Sequence, residues 1–209
     1  VDGTCEYVLD PDDPETWGGE EGDECYVDKE VLNEDGVWTC HHDAEAGRDA
    51  CIFHLPVTEK DGEAVVDAFL AALDDAATGE DPETKERKLQ FLGSRFGEFD
   101  LTDTLPEVVE GQIDVDLTHS EIEGILDWSD SIFTTARLRL QALRCAKSAS
   151  FESVKFGGDV DFTNAEFSGD VDFSDVEFSE DAIFWDTEFG GDINFRCVEG
   201  AEFGGAANF

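Results

Sequence analysis

Four cysteines and three histidines are crowded into the first 55 residues of this 209-residue chain. They are Cys5, Cys25, Cys40, Cys51, His41, His42 and His54. Cys51 and His54 form a Cys-x-x-His pair, a spacing that lets both side chains converge on one metal ion when it lies on a tight turn. We expect Cys5 and Cys40 to complete a three-cysteine, one-histidine zinc site with this pair, with Cys25 or His42 as the alternative ligands.

Two other states of these cysteines stay open at this point. They could pair as disulfides, as in small secreted modules, or remain buried free thiols beside ordinary surface histidines. The histidines favour a metal, because disulfides need none. The first 55 residues contain so few apolar side chains that they also need a cross-link, such as a bound metal ion or disulfides, in order to fold. A catalytic zinc would need an open coordination position and a general base in a cleft, so we expect a structural zinc and keep a zinc hydrolase as an alternative.

A phenylalanine repeat occupies the chain from Phe151 to Phe195. Phenylalanine recurs there with gaps of five, six, five and six residues, so that an 11-residue unit occurs four times. A small or β-branched residue stands two positions before nearly every Phe: Val154, Val160, Ala165, Val171, Val176, Ala182, Thr187 and Ile193. An amphipathic α-helix is excluded, because its apolar residues are three and four apart. The pattern predicts short extended segments that bury their apolar edges by stacking, which is a solenoid.

These residues resemble the pentapeptide-repeat proteins, whose repeat centres on an inward Leu or Phe with a small residue two positions before it. The resemblance implies a mainly β fold, a right-handed quadrilateral β-helix with four faces per coil. A coil would then contain 22 residues and would stack Phe151 on Phe173 and Phe195, and Phe156 on Phe178, at a strand spacing of about 4.8 Å. A two-faced coil of 11 residues fits the spacing as well.

Every second block of the repeat carries one extra residue, which is always aspartate: Asp159, Asp170, Asp181 and Asp192. The surrounding GGDVD and GGDIN are similar to the glycine–aspartate runs of calcium-binding β-rolls, but the nine-residue period of β-rolls is missing. We interpret this Asp column as an outward corner, where aspartate tolerates turn geometry and adds surface charge.

The remaining elements must connect the Cys/His segment to the repeat. A helix is predicted over residues 60–78, ended by Gly79, from apolar residues at helical spacing: Val65, Val66, Phe69, Leu70 and Leu73. We expect its apolar face to cover the open first coil of the solenoid; a partner-binding helix is the alternative. Within the less regular start of the solenoid, Cys145 is predicted to be a buried small apolar residue and His119 to point outward without a role.

The chain therefore divides into a Cys/His-rich zinc module at 1–57, a helix and linker at 58–90, and a solenoid at 91–209. The order Cys…Cys…Cys-x-x-His is similar to the module that precedes pentapeptide repeats in haloarchaeal proteins. The sequence stops at Phe209 on an inward position of the repeat without a polar cap, so the solenoid could continue beyond it.

Charge is the extreme feature of the composition, with 53 acidic and 13 basic side chains and a net charge of −40. We interpret it as adaptation to the cytoplasm of a halophile, because acidic surfaces stay hydrated in molar salt; imitation of the phosphates of a nucleic acid is the alternative. Direct nucleic-acid binding is disfavoured, since phosphate contacts need clustered Lys and Arg. The sequence contains no run of about 18 apolar residues, so it predicts no membrane span.

The function predicted from these features is that of a non-enzymatic β-solenoid, adapted to high salt, that binds or scaffolds an unidentified protein partner and could form homo-oligomers. The family resemblance implies an alternative, because some pentapeptide-repeat proteins mimic DNA and modulate a type II topoisomerase. A second alternative is the soluble part of a longer, membrane-attached protein.

Overall fold

The N-terminal part of the chain is a small module without regular layers, followed by one helix. The computed structural model describes residues 3–78, 87, 89–102, 114–134, 137–196 and 202–208. The elements before the solenoid are β1 (Val8–Leu9), a 3₁₀ turn (Pro14–Thr16), a second (Lys29–Val31), β2 (Trp38–Thr39), a third (Val57–Glu59) and α1 (Gly62–Thr78). β1 and β2 pair antiparallel.

Four parallel sheets then form the sides of a β-solenoid. Its strands are β3 (Arg95–Phe96), β4 (Phe99–Asp100), β5 (Asp114–Asp116), β6 (Glu121–Ile122), β7 (Leu126–Asp127), β8 (Ile132–Phe133), β9 (Arg137–Arg139), β10 (Arg144–Cys145), β11 (Ala149–Ser150), β12 (Lys155–Phe156), β13 (Asp159–Asp161), β14 (Glu166–Phe167), β15 (Val171–Asp172), β16 (Glu177–Phe178), β17 (Ala182–Ile183), β18 (Glu188–Phe189), β19 (Ile193–Asn194), β20 (Glu202–Phe203) and β21 (Ala207–Asn208). The first face contains β3, β6, β10, β14 and β18, and the second contains β4, β7, β11, β15 and β19. The third contains β8, β12, β16 and β20, and the fourth contains β5, β9, β13, β17 and β21.

The strand register shows how many residues make one coil. Arg144 pairs with Glu166 on the first face, and Ala149 pairs with Val171 on the second. Lys155 pairs with Glu177 on the third face and Val160 with Ala182 on the fourth, so partners 22 residues apart on four successive faces confirm the four-faced coil. The two-faced coil of 11 residues is wrong.

Phenylalanine rings fill the interior in continuous columns. The ring centroids of Phe151 and Phe173 are 4.9 Å apart, and those of Phe173 and Phe195 are also 4.9 Å apart, with nearly parallel planes. Phe156 and Phe178 are stacked at 5.2 Å. The expected stacking order is therefore confirmed, and each ring contributes roughly 2–3 kcal/mol by leaving water.

The Asp column faces outward as expected, but turn geometry does not explain it. The left-handed backbone conformation occurs instead at other corner residues: His119, Asp130, Ala142, Ser153, Asn164, Asp175 and Asp186. The side chain of Asp170 accepts a hydrogen bond from the backbone N–H of Asp192 at 2.9 Å, and Asp159 accepts one from Asp181 at 3.2 Å. The inserted aspartate thus satisfies the backbone of its counterpart one coil further on, at a position where an extra residue interrupts the regular ladder.

The helix closes the N-terminal end of the solenoid. It begins two residues later than predicted and reaches Thr78, while Gly79 lies outside the described residues. The ring of Phe69 contacts those of Phe91 and Phe99 in the first coil, with centroids 4.8 and 5.1 Å apart. The predicted covering role of the helix is confirmed.

His119 does not point outward, and that expectation is wrong. It is only 6% exposed, because the N-terminal module lies over the corner on which it stands. Its ring packs on Trp17, with centroids 4.6 Å apart, and its Nε2 accepts a hydrogen bond from the backbone N–H of Tyr26 at 3.0 Å. Burial lowers the pKa of His119 to about 4, so the imidazole is neutral at pH 7 and is able to accept this bond.

Cys145 is buried in the wall of the solenoid, as predicted. Burial raises the pKa of its thiol to about 11, which leaves it protonated and unreactive at neutral pH. Among the described residues, no helix has both the length and the hydropathy that crossing a membrane requires.

The phenylalanine column makes a direct prediction for stability. Phe173→Ala should lower the free energy of unfolding by about 3–5 kcal/mol, because it leaves a cavity between Phe151 and Phe195. Trp185→Ala is the control, since Trp185 is 59% exposed and its truncation should change stability by about 0.5 kcal/mol or less. Denaturant unfolding in molar salt measures both. Equal losses in the two variants would contradict a stacked interior column.

Candidate metal centre

The antiparallel pair β1–β2 brings the first two cysteines together. Cys5 lies just before β1 and Cys40 directly follows β2. The backbone N–H of Cys5 donates to the carbonyl of His42 at 2.9 Å, and that of Cys40 donates to the carbonyl of Tyr7 at 3.1 Å. These cross-strand bonds hold two residues that are 35 positions apart in sequence side by side.

A tight turn supplies the other two side chains. The backbone N–H groups of His54 and Leu55 both donate to the carbonyl of Cys51, at 3.0 and 3.1 Å. The turn therefore points the Cys51 thiol and the His54 imidazole in the same direction, as the Cys-x-x-His spacing predicts. The ring of Tyr7 stacks on the imidazole of His54, with ring centroids 3.9 Å apart, and so fixes the plane of the imidazole.

The four ligand atoms of Cys5, Cys40, Cys51 and His54 all lie within 4.8 Å of one another, and all four side chains are buried. The Sγ atoms of Cys40 and Cys51 are 3.7 Å apart. His54 Nδ1 is 3.2 Å from the Cys51 sulfur and 3.6 Å from the Cys5 sulfur. A tetrahedral zinc ion with ordinary bond lengths places two sulfur ligands about 3.8 Å apart, and sulfur and nitrogen about 3.6 Å apart. The cluster is therefore able to hold a metal ion.

The tautomer of His54 suits the same role. Its Nε2 lies 2.9 Å from the backbone carbonyl oxygen of Leu92, which has no proton to give, so Nε2–H is the donor. The lone pair of Nδ1 consequently points at the three sulfur atoms. Metal-ligating histidines are usually oriented by such a hydrogen bond to a carbonyl. Leu92 belongs to the first coil, so this bond also links the cluster to the solenoid.

The three thiols of the cluster share protons through hydrogen bonds with one another. Hydrogen bonds from Cys40 and Cys51 lower the pKa of the Cys5 thiol, and the corresponding interactions raise the pKa of Cys40. Without a cation, therefore, a thiolate at Cys5 depends on protons shared with the other two sulfur atoms. A divalent metal would replace those protons and stabilise all three thiolates.

The two alternative ligands lie outside this cluster. Cys25 is half-buried, and burial raises the pKa of its thiol. His42 packs its ring against those of Phe53 and Phe91, with centroids 4.7 and 5.1 Å apart, and burial lowers its pKa to about 4. The disulfide alternative finds no support in the geometry either, since 3.7 Å between Cys40 and Cys51 is far longer than an S–S bond of about 2.0 Å.

Sequence reasoning missed the groups around the cluster. The ammonium of Lys60 donates to three backbone carbonyls, those of Ile52, Phe53 and Arg95, and burial lowers its pKa to about 8. This bond set ties the Cys51–His54 turn to β3. In the sequence, the role of Lys60 is signalled only by its being a single lysine in an acidic segment. No sequence pattern identifies a backbone carbonyl, such as that of Leu92, as the acceptor that orients a histidine.

Four parallel faces around stacked aromatic rings, with a buried Cys/His cluster at one end, define a β-solenoid with a metal-competent N-terminal module. Residues 151–196 match the family described as Pentapeptide repeats, with nine copies. Residues 151–196, the most regular part of the β-solenoid, are thus similar to pentapeptide repeats, as their phenylalanine spacing suggests. Comparison with curated proteins and with solved structures found no match.

The cluster predicts which cysteines control metal content. Cys51→Ser should abolish stoichiometric metal binding, because it removes one of four converging ligands. Cys25→Ser should leave the metal-to-protein ratio at one, since Cys25 lies outside the cluster. Elemental analysis of the purified variants measures the ratio. Loss of metal in Cys25→Ser together with retention in Cys51→Ser would show that the ligand set is wrong.

Proposed function

We propose that this protein is a non-enzymatic binding or scaffold protein that works at high salt, with a structural zinc ion at its N-terminal end. The pentapeptide-repeat β-solenoid carries this proposal, because its flat repeated faces suit partner binding. Proteins of this repeat family are in general structural or interaction proteins. A cytoplasmic setting agrees with cysteines that stay reduced to bind metal.

Zinc is the metal that the donor set favours. Three thiolates and one imidazole in tetrahedral arrangement are typical of structural zinc sites, which use four protein ligands and keep no open position. All four side chains are at least nine-tenths buried, which leaves no room for a substrate at the metal. A zinc hydrolase, which needs an open coordination position, is therefore the weaker alternative.

The arrangement of charge along the solenoid supports adaptation to salt. Five of the 13 basic residues lie in one coil: Arg137, Arg139, Arg144, Lys147 and Lys155. Lys155 pairs with Glu177 of the next coil at 3.1 Å. Beyond Lys155 the chain has 14 acidic residues and one basic residue, and the register places Glu166 beside Glu188. Such like-charged neighbours repel, and molar salt screens the repulsion.

A modulator of a type II topoisomerase that mimics DNA is the second candidate. The acidic columns of the last coils favour it. The cationic coil argues against it, because Arg137 lies 3.9 Å from both Asp114 and Asp159 and so interrupts the acidic run that a duplex mimic would need. The soluble part of a membrane-attached protein remains a third proposal, which the complete reading frame would test.

The like-charged columns predict a local response to salt. Transfer from about 3 M to about 0.1 M KCl should destabilise the protein, and hydrogen exchange should show the last coils opening first. Glu188→Lys should reduce this loss by about 1 kcal/mol, since it places a lysine beside Glu166. Glu34→Lys changes the net charge equally in the exposed N-terminal module and is the control. Equal effects of the two variants would contradict the role of the columns.

A supercoiling assay separates the two leading functions. A halophilic gyrase in molar salt should be unaffected by the scaffold proposed here, because the cationic coil breaks the acidic stripe. Inhibition at stoichiometric protein, weakened by Glu188→Lys but not by Glu34→Lys, would instead support DNA mimicry. The wild-type protein should be tested with its metal bound and at a salt concentration that keeps it folded.

A further inference from the structure

A cleft lies between the N-terminal module and the fourth face of the solenoid, and none of the four cluster ligands lines it. Residues 28–33 form one wall, and β5 and β9 form the other. Its volume is about 670 Å³, within the range of roughly 300–1,000 Å³ that is usual for small-molecule sites. Neither the metal cluster nor the phenylalanine columns account for it.

Asp116 at the base of this cleft is the unexplained group. It is only 2% exposed, and its Oδ1 accepts a hydrogen bond from the backbone N–H of Thr118 at 3.0 Å. Its Oδ2 is buried and has no hydrogen-bond partner among the described residues. A buried carboxylate oxygen left without a donor is costly, and such a group in a native fold calls for a ligand or ion that supplies one.

The nearest cation does not supply that donor. The guanidinium of Arg139 lies 3.0 Å from Asp114 and 3.7 Å from Asp28, but 3.8 Å from Oδ2 of Asp116, which is too far for a hydrogen bond. Of the three carboxylates, only that of Asp114 lies within hydrogen-bond distance of Arg139. Arg139 neutralises part of the charge in the cleft and leaves the innermost oxygen available.

The lining determines the sign of a ligand's charge. Four carboxylates line the cleft, those of Asp28, Glu30, Asp114 and Asp116, against the guanidinium groups of Arg87 and Arg139. Burial raises the pKa of Asp116, but the other three carboxylates alone outnumber the two guanidinium groups, so the excess is negative and an anion is disfavoured. A bare metal ion is also disfavoured, because apart from the Cys/His cluster the described residues contain no group of three His, Cys, Asp or Glu side chains with ligand atoms within 4.8 Å of one another.

The apolar part of the lining indicates the rest of the ligand. Val31 and Leu32, both half-buried, belong to the wall that faces β5 and β9. A short methylene chain could lie along them while a nitrogen at its end reaches Asp116. We propose that the cleft binds a small organic cation, a diamine or an alkylguanidine, whose N–H group donates to Oδ2 of Asp116.

Calorimetric titration of the metal-loaded protein with agmatine tests this site, because agmatine joins a guanidinium and an amine by a methylene chain. The titration is done in about 1 M KCl, where non-specific attraction to the acidic surface is screened. Saturable binding at one site is expected. Tetramethylammonium, a cation of similar type without an N–H donor, should neither bind there nor compete; equal binding of both cations would overturn the proposal.

Paired variants locate the binding. Asp116→Asn retains an Oδ1 acceptor for Thr118 but offers an N–H in place of the free oxygen, so agmatine should bind at least about tenfold more weakly. Asp127→Asn is the matched control: Asp127 accepts the same kind of hydrogen bond, from Ser129 at 3.1 Å, on the second face outside the cleft. Unchanged binding in Asp116→Asn, or equal loss in both variants, would overturn the proposal.

A second cleft variant covers the case in which Asp116→Asn does not fold. Asp114 is 35% exposed, so Asp114→Asn should fold normally while it removes one of the four carboxylates. Binding at least about threefold weaker than in the wild type is expected. Wild-type affinity in a folded Asp114→Asn protein would overturn the proposal.

Discussion

The spacing between neighbouring parallel strands sets the whole architecture. Hydrogen-bonded strands lie about 4.8 Å apart, which is also close to the 4.9 Å that separates the rings of Phe151, Phe173 and Phe195. One coil therefore stacks both its backbone and its aromatic core on the next without distortion. The 22-residue register follows from four faces of five or six residues each, which return the chain to the same column once per coil. The extra residue in each long block becomes tolerable because the side chain of Asp170 supplies a hydrogen bond to the backbone of Asp192.

A stack of this kind must be closed at its end, and the metal-competent cluster belongs to that closure. The backbone N–H of Arg95, at the start of β3, donates to the carbonyl of Phe53 inside the Cys51–His54 turn. His54 reaches the carbonyl of Leu92 in the same coil, and Phe69 of α1 covers the first rings from the other direction. A metal at the cluster would thus fix the geometry of the turn on which the first strand is built, which explains why a non-catalytic ion would be retained.

Periodic features could be predicted from the sequence, and features that depend on docking could not. The phenylalanine columns, the helix over 62–78 and the Cys51–His54 pair each follow from a spacing, whereas Cys5 and Cys40 are brought together by the pairing of β1 with β2. His119 was misjudged because its burial depends on Trp17 and Tyr26, about 100 residues earlier in the chain, and no local pattern records that contact. The partner of the Asp column was missed for a related reason: its hydrogen-bond donor lies 22 residues further on. The cleft at Asp116 likewise exists only because the module lies against the fourth face.

In the solenoid, residues about 22 positions apart in the sequence become neighbours in one column. The order of charges along the sequence therefore determines which charges lie next to each other. A cation placed in one coil lies next to the coils above and below it, as Lys155 contacts Glu177. The five basic residues between 137 and 155 therefore stabilise the middle of the stack and leave the later coils with adjacent acids such as Glu166 and Glu188. We therefore expect local stability to decrease along the axis away from the metal-competent end. A partner with a basic surface would gain the most binding free energy at the acidic coils, because it would relieve the repulsion between adjacent carboxylates as well as attract them.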